Sequence, residues 1–272
     1  MRDVRSDKVL TTVLRLKPEN EVWTKMFYKD MLPRVTISIT SYAQQQGRIH
    51  SHKPSPTLIG LILEENIQNK WLLDIGCGSG GLTFELAPYA RYIVGVDISQ
   101  EEIHQARELA DQKALTHVKF VQGDAEKTPY QEFLQGRRPD LVVANLCLSD
   151  EIIHKSFEAL EEGSCLIFAC FHHDQWIELG IPSRFAYTEE RLKEVLEKTG
   201  FILEFFQIEK KVVKFESPEE MTDLYFKDSP LKVKWMKDGR WDRWLQYVQQ
   251  GGRFLTVKSH HIVKARKKGK NP

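Results

Sequence analysis

The stretch WLLDIGCGSGG, residues 71–81, decides the fold. An apolar run that ends in glycines reads as a buried strand turning sharply into a helix, and Gly76, Gly78 and Gly81 fit the spacing G-x-G-x-x-G. Such a turn brings backbone N–H groups close to a ligand, but by itself it does not say which ligand. Asp97 lies about 20 residues further on, where an acid accepts the ribose hydroxyls of any adenosine-bearing molecule. Asp74 separates the alternatives. An ionised carboxylate at the mouth of the loop would repel a pyrophosphate by roughly 4 kcal/mol at about 4 Å and an effective dielectric near 20. A ligand that offers an ammonium and a sulfonium, and no phosphate, reverses that sign. The other reading of Asp74 is a structural carboxylate that caps loop N–H groups.

Outward from the loop, the chain alternates apolar strands with amphipathic helices. The next strands read YIVGVD (92–97), VKFVQGD (118–124), DLVVANL (140–146) and SCLIFACF (164–171). Ser99 with Glu102 makes a capping box that opens a helix to about Gln112, and TEERLKEVLEKTG (188–200) starts on a capping threonine and stops at a glycine. Two longer runs follow, FILEFFQIEKKVVKF (201–215) and RFLTVKSHHIVKA (253–265). The pattern predicts an α/β fold, a Rossmann-like, mostly parallel sheet with helices on both faces. Asp124 ends the third strand beside the same crevice, where an adenine amino group needs an acceptor. Three acids at three strand ends predict a cationic adenosine cofactor, S-adenosylmethionine.

Residues 72–146, through LLDIGCGSGG, GVDIS, GDAEKTPY and DLVVANL, resemble the core of the class I S-adenosylmethionine-dependent methyltransferases. The resemblance implies a seven-stranded sheet whose final strand is antiparallel. It implies that Asp74, Gly76 and Gly78, with the intervening Cys77, approach the methionine part. It places Asp97 at the ribose, Ile98 at the adenine face, Asp124 with Ala125 at the adenine amino group, and Asn145 near the methyl group.

The chain is expected to divide into an N-terminal helical segment (1–60), the cofactor-binding core (61–215), a helical aromatic insertion (216–251), and the last strand with a basic tail (252–272). Ser217-Pro218-Glu219-Glu220 carries helix-start signals, and Tyr225, Phe226, Trp235, Trp241, Trp244 and Tyr247 crowd the insertion. The N-terminal segment carries Trp23, Phe27, Tyr28 and Tyr42. These two segments either pack on each other and on the sheet or form a lid over the carboxyl ends of the strands.

Methyl transfer is an in-line displacement at a carbon that the sulfonium already activates, so the protein chiefly aligns the partners and excludes water. A base is needed only where the acceptor loses a proton. Exocyclic amines of nucleobases are usually served by an [Asp/Asn]-Pro-Pro-aromatic segment after strand four; here Asn145-Leu146-Cys147-Leu148 stands there. Nothing basic flanks Cys147 to make it a nucleophile. Asp150 and Glu151 open a helix, where acids are favoured in any case. His172-His173-Asp174, after strand five, is either a solvated loop or a base and orienting group for the acceptor. The catalytic candidates are therefore His172, His173, Asn145 and Arg253.

The C-terminal third, SPEE through QQGGRFLTVKSHHIVKARK, is similar to the end of the malonyl-carrier-protein O-methyltransferases of biotin synthesis. That implies a free carboxylate on an acyl thioester as acceptor, with Arg253 or a neighbouring cation to hold it. The family's Asn-Leu-x-x-Gln-Trp pattern is replaced here by Leu148-Ser149-Asp150, which leaves quinone and small-molecule C- and O-methyltransferases equally open. The leading expectation is O-methylation of a small organic or carrier-bound acceptor. The rivals are an RNA methyltransferase that uses the basic run KARKKGK (264–270) and a non-catalytic cofactor-binding subunit.

Composition adds limits. With 39 Lys+Arg against 38 Asp+Glu in 272 residues, net charge gives no general pull toward nucleic acid. No run of about 18 apolar residues occurs, so no membrane span is expected. The N-terminus lacks the apolar centre of a secretory signal, and Cys77, Cys147, Cys165 and Cys170 show no C-x-x-C spacing. Reduced, buried thiols in a cytoplasmic protein without a metal site are the expectation.

Overall fold

The computed structural model describes residues 53–183, 185–217, 219, 220, 222, 226 and 230–269, with the strand backbone at 12–13 and 34–41. In chain order its strands are β1 (Thr12–Val13), β2 (Arg34–Ser41), β3 (Trp71–Ile75), β4 (Tyr92–Asp97), β5 (Val118–Gln122), β6 (Leu141–Asn145), β7 (Cys165–Phe171), β8 (Phe201–Lys214) and β9 (Phe254–Lys267). The helices are α1 (Pro56–Leu63), α2 (Gly81–Leu86), α3 (Gln100–Gln112), α4 (Tyr130–Phe133), α5 (Asp150–Ala159), α6 (Glu189–Thr199), α7 (Pro230–Asp238) and α8 (Arg240–Gln249). The chain forms two compact units: one of His52–His172, Phe185–Phe206 and His261–Pro272, the other of Met1–Ser51, His173–Arg184 and Gln207–His260.

The first unit holds a seven-stranded sheet in the order β8-β9-β7-β6-β3-β4-β5. β3, β4, β5, β6 and β7 pair in parallel. Backbone bonds from Gly163 N to Lys267 O and from Lys267 N to Ser164 O lay the end of β9 beside the start of β7, so β9 runs antiparallel. Parallel strands covered on both faces read as continuous apolar runs, and Leu72, Leu73, Ile75, Ile93, Val96, Leu141, Val142 and Val143 are all fully buried. Each such side chain contributes about 1.5–3 kcal/mol of burial. The helix signals hold locally. Ser99 Oγ accepts from Glu102 N at 3.3 Å, and α6 runs from the Thr188 cap to Gly200 in the left-handed region, φ 103°.

Of the basic run near the C-terminus, Lys264, Arg266 and Lys267 are tied into the fold, while Lys268 is exposed. Lys264 sits 2.7 Å from Glu65. Arg266 bonds Glu65 at 2.6 Å, Glu204 at 2.9 Å and the carbonyl of Gly163 at 2.7 Å. Lys267 Nζ donates to the carbonyls of Phe157 and Leu160 at 2.6 and 2.8 Å, capping the C-terminus of α5. β9 lies between β8 and β7, where charges need partners, so these three cations are consumed inside the fold. The thiol of Cys165 joins Glu65 and Glu204 within 4.8 Å, where Lys264 and Arg266 neutralise both carboxylates. Arg266→Ala is expected to cost about 1–3 kcal/mol in urea unfolding, because it removes the charge-assisted bonds to Glu65, whose side chain is only 10% exposed, and leaves Lys264 as the nearest cation.

The second unit gathers the aromatic residues of the insertion into a core of its own. Phe226, Trp235 and Trp244 are buried with Leu179, Val213, Phe215 and Leu255. The Phe226 ring lies 4.9–5.0 Å from Trp235, Trp241 and Trp244. On α8, Trp241, Trp244 and Val248 recur at helical spacing on one stripe. Within this unit β2 pairs in parallel with residues 207–214 of β8, and β1 pairs antiparallel with β2. The expected helical character of 1–60 is therefore corrected at 34–41. There Val35, Ile37 and Ile39 alternate with Thr36, Ser38 and Thr40, the pattern of a strand. Residues 207–215 and 252–260, expected with the core and with the tail, group with the insertion. Trp23, Phe27, Tyr28, Tyr42, Pro218 and Tyr225 lie outside the described residues. Ser217 Oγ accepts from Glu220 N at 3.1 Å, while the Glu220 carboxylate takes the N–H of Glu216 at 2.9 Å.

Candidate cofactor site

The glycine loop leaves the carboxyl end of β3, and its backbone is fastened to β4. Gly76 N and Cys77 N donate to Val96 O at 2.8 and 3.0 Å. Gly76 has φ +66°, and a Cβ there would lie 2.2 Å from the Cβ of Cys147. Only glycine meets both conditions. The loop after β6 therefore presses on the glycine loop, turning at Leu146 with φ 62°. Cys147 is partly buried, and burial with Asp97 and Asp74 nearby pushes its thiol up to about 11. A thiol held protonated is no nucleophile. Burial likewise pushes the Cys77 thiol up; its Sγ sits 3.4 Å from Gly78 O.

Asp74 is fully buried, and its Oδ2 accepts from Thr83 Oγ1 on α2 at 2.6 Å. Its Oδ1 is buried and has no hydrogen-bond partner among the described residues. Burial, with Asp97 nearby and against the bonds from Thr83, raises its pKa to about 7. A buried carboxylate with an unused oxygen beside a ligand loop marks a place where a cation or water completes the set. Thr83 is the residue the sequence reading missed. Its signal was a polar side chain on the buried face of α2, two residues past Gly81.

Asp97 at the end of β4 does more than await a ribose. Its Oδ2 accepts from Gly78 N and its Oδ1 from Ser99 N, both at 2.9 Å, so the carboxylate staples the loop to the start of α3. Each oxygen keeps a second lone-pair direction. Asp97→Ala is accordingly expected to lose about 2 kcal/mol of folding stability as well as cofactor affinity, read by chemical unfolding alongside calorimetry. Ile98 beside it is 68% exposed, an apolar surface of the right kind for an adenine face. Asp124, after β5, is partly buried and bonded to Lys127 Nζ at 2.8 Å and Glu126 N at 3.0 Å. Those bonds hold its carboxyl below its ordinary value. Ala125 is next in the chain, and Asn145 closes β6, partly buried.

These residues stand at or just past the carboxyl ends of β3, β4, β5 and β6, the side of an open α/β sheet that binds ligands. His172 follows the end of β7, its ring 4.7 Å from that of buried His261. His173 and Arg253 fall in the other unit. There His173 lies 3.7 Å from Asp174, which also meets Lys210 at 2.9 Å, and Arg253 donates to Glu216 O at 2.8 Å.

Residues 67–252 match a family model described as a methyltransferase domain. The chain belongs to this family. It is a class I S-adenosylmethionine-dependent methyltransferase, as its sequence motifs led one to expect. The solved structure of a putative methyltransferase from Bacillus halodurans shares its fold with TM-score 0.58 and 20% identity, covering 79% of this chain and 100% of that one. Magnesium protoporphyrin IX methyltransferase from Synechocystis, solved with bound S-adenosylhomocysteine, aligns with TM-score 0.51 and 15% identity over 78% of this chain and 80% of that one. Among curated proteins, the malonyl-[acyl-carrier protein] O-methyltransferase of Brevibacillus brevis is 29% identical over 150 residues, 53% of this chain and 52% of the relative. An uncharacterized RNA methyltransferase of Caldanaerobacter subterraneus is 31% identical over 80 residues, 29% of this chain and 17% of that protein. The methyltransferase thus spans about half the length of the first relative and much less of the second. No helix among its described residues is long and apolar enough to cross a membrane.

The site's chemistry suits S-adenosylmethionine on its own terms: an unused buried carboxylate oxygen at Asp74 and acids in place of cations around the loop.

Proposed function

We propose that this methyltransferase places a methyl group on an oxygen of a small organic or carrier-bound acceptor. The observation that carries this reading is the likeness over 150 residues to an O-methyltransferase that acts on a carrier-bound malonyl group. The RNA methyltransferase of Caldanaerobacter matches over little more than half that span, about the extent of a cofactor core. The engagement of Lys264, Arg266 and Lys267 in ion pairs and helix capping favours the same reading, since it takes three of the five cations of the basic run.

S-adenosylmethionine, when bound, supplies a methyl group on a sulfonium. In this reading Asp74 and the loop Gly76-Cys77-Gly78, whose own amides are fastened to Val96 and Asp97, border its amino-acid part. Asp97 takes the ribose hydroxyls, Ile98 covers the adenine, and Asp124 and Ala125 meet the adenine edge. Asn145 lies beside the methyl group, and His172 is the candidate orienting group from β7.

The test is transfer of tritiated methyl from S-adenosylmethionine, with the purified full chain, into malonyl-acyl carrier protein and into RNA, protein and small-molecule fractions of a cell extract. Label in the carrier or small-molecule fraction is expected. Label confined to RNA or protein would overturn the proposal, and no label with intact cofactor binding would favour a non-catalytic subunit.

A further inference from the structure

The helices of this chain treat their lysines in two ways. Lys155 on α5 and Lys193 and Lys198 on α6 each follow a glutamate by one turn and pair with it, at 3.9, 3.6 and 2.5 Å. Helix α7, PLKVKWMKD, is built differently. It carries Lys232, Lys234 and Lys237 with a single acid, Asp238, and Arg240 takes that acid at 2.7 Å. Lys232 lies over the Trp241 ring at 4.7 Å, and none of the three lysines has an ion-pair partner among the described residues. In a chain of net charge +1 this is a local excess of positive charge, not a general one.

The apolar residues of α7 are divided as well. Trp235 is fully buried in the aromatic core of the second unit, while Val233 and Met236 are 57% and 62% exposed. Val233 and Met236 stand three apart, as do Lys234 and Lys237, so the four share the helix face opposite Trp235. A solvated helix face is normally polar. Here two apolar side chains lie beside two ammonium groups that nothing neutralises, and the complement of such a face is an apolar surface edged by carboxylates. A second copy of α7 would set cation against cation. Anionic lipid and RNA are met through outward tryptophan, phenylalanine or arginine, whereas α7 has no arginine and its one aromatic residue is buried.

We infer that the outer face of α7, formed by Val233, Lys234, Met236 and Lys237, docks an acidic amphipathic helix of the protein that carries the methyl acceptor. This rests on the reading of a carrier-bound acceptor above and names the surface that receives the carrier. The two lysines steer the acidic partner and fix its register. Val233 and the unbranched, adaptable Met236 pack against its apolar stripe. Recognition of the carrier is then separate from recognition of the acceptor group, so removing the charges of α7 acts on affinity for the carrier and leaves methyl transfer itself unchanged.

The experiment measures binding of acyl carrier protein to the full chain by calorimetry. It also compares methyl transfer to malonyl-acyl carrier protein with transfer to malonyl-pantetheine, which lacks the protein. The wild-type chain is set against the double variant Lys234→Glu with Lys237→Glu, against Met236→Ser, and against Lys113→Glu with Lys198→Glu, which makes the same charge change at exposed positions elsewhere. Reversing the charges of α7 should raise Kd and the KM for malonyl-acyl carrier protein about tenfold at low salt. The KM for malonyl-pantetheine, kcat and the melting temperature should stay as in wild type, and high salt should narrow the gap. Met236→Ser should weaken carrier binding about threefold at either salt, and the control should match wild type. Equal carrier affinity in wild type and the α7 double variant, or an equal loss in the control, overturns the inference. So does wild-type binding to phosphatidylglycerol vesicles or to RNA without binding to the carrier. Methylation of malonyl-pantetheine by a chain that does not bind the carrier overturns the docking surface and leaves O-methylation standing. Carrier bound through α7 with no acceptor methylated upholds the surface and removes the proposed function.

Discussion

Gly76→Ala is expected to abolish cofactor binding and to destabilise the protein by about 3 kcal/mol or more. Two costs add. A left-handed φ of +66° strains any L-residue by about 1–2 kcal/mol. A new methyl group 2.2 Å from the Cβ of Cys147 and 2.3 Å from its Sγ forces the loop after β6 away, an overpacking cost of about 1–3 kcal/mol. The amides of Gly76 and Cys77 would then lose their register on Val96 O. Urea unfolding and titration with S-adenosylhomocysteine read the two effects. The double variant Gly76→Ala with Cys147→Gly removes the steric part alone, so it should recover roughly half of the lost stability and leave the backbone strain. A single variant as stable as wild type would show that the two loops do not touch as described.

Asp74 gives the second large effect, in the pH dependence of stability. Its folded pKa of about 7 stands well above its ordinary 3.8, so between those values the folded state binds a proton that the unfolded state has released. Stability of the protein without cofactor is therefore fully present below about pH 4 as far as Asp74 is concerned, and is lost as pH rises through about 7. The loss is on the order of 4 kcal/mol. Glu65 acts in the opposite sense. Lys264 and Arg266 overcome the cost of its burial and hold its pKa at about 2 against an ordinary 4.5, so its contribution disappears as pH falls from about 4.5 toward 2. The protein without cofactor should thus be most stable near pH 4–5.

A cationic cofactor favours ionised Asp74, so binding near pH 6 should release close to one proton and affinity should rise with pH up to about 7. Asp74→Asn keeps an oxygen for Thr83 and removes the charge. It should flatten the neutral-pH decline in stability while weakening binding by about tenfold or more. Calorimetry in buffers of different ionisation enthalpy measures the proton. Binding that releases none in the wild-type chain would mean that Asp74 is already ionised or is not sensed by the cofactor.

Much of the core was legible because its signals are local. The apolar runs of β3, β4, β6 and β7 need burial on both faces, and the caps at Ser99, Thr188 and Gly200 bond within a few residues of themselves. Asp97 was legible as a ligand acid but not as the staple between Gly78 and Ser99, because those bonds join two loops that the sequence separates by 19 and 2 positions. Lys264 and Arg266 read only as part of a basic tail because their partners, Glu65 and Glu204, are remote in the chain.

The sequence by itself determined the nucleotide-fold core and the charge of its ligand. Strand periodicity, glycine spacing and three acids at strand ends follow from short-range geometry and from the sign of an electrostatic interaction. Only the tertiary structure decided what each charge does. It buried Asp74 against Thr83, pressed Cys147 onto Gly76, and drew the basic run into the sheet. It also joined Tyr187 and Arg191 to Asp150 from two separate stretches of chain. Pairings of that kind depend on which strand ends become neighbours, a property of sheet order that no single stretch of residues encodes.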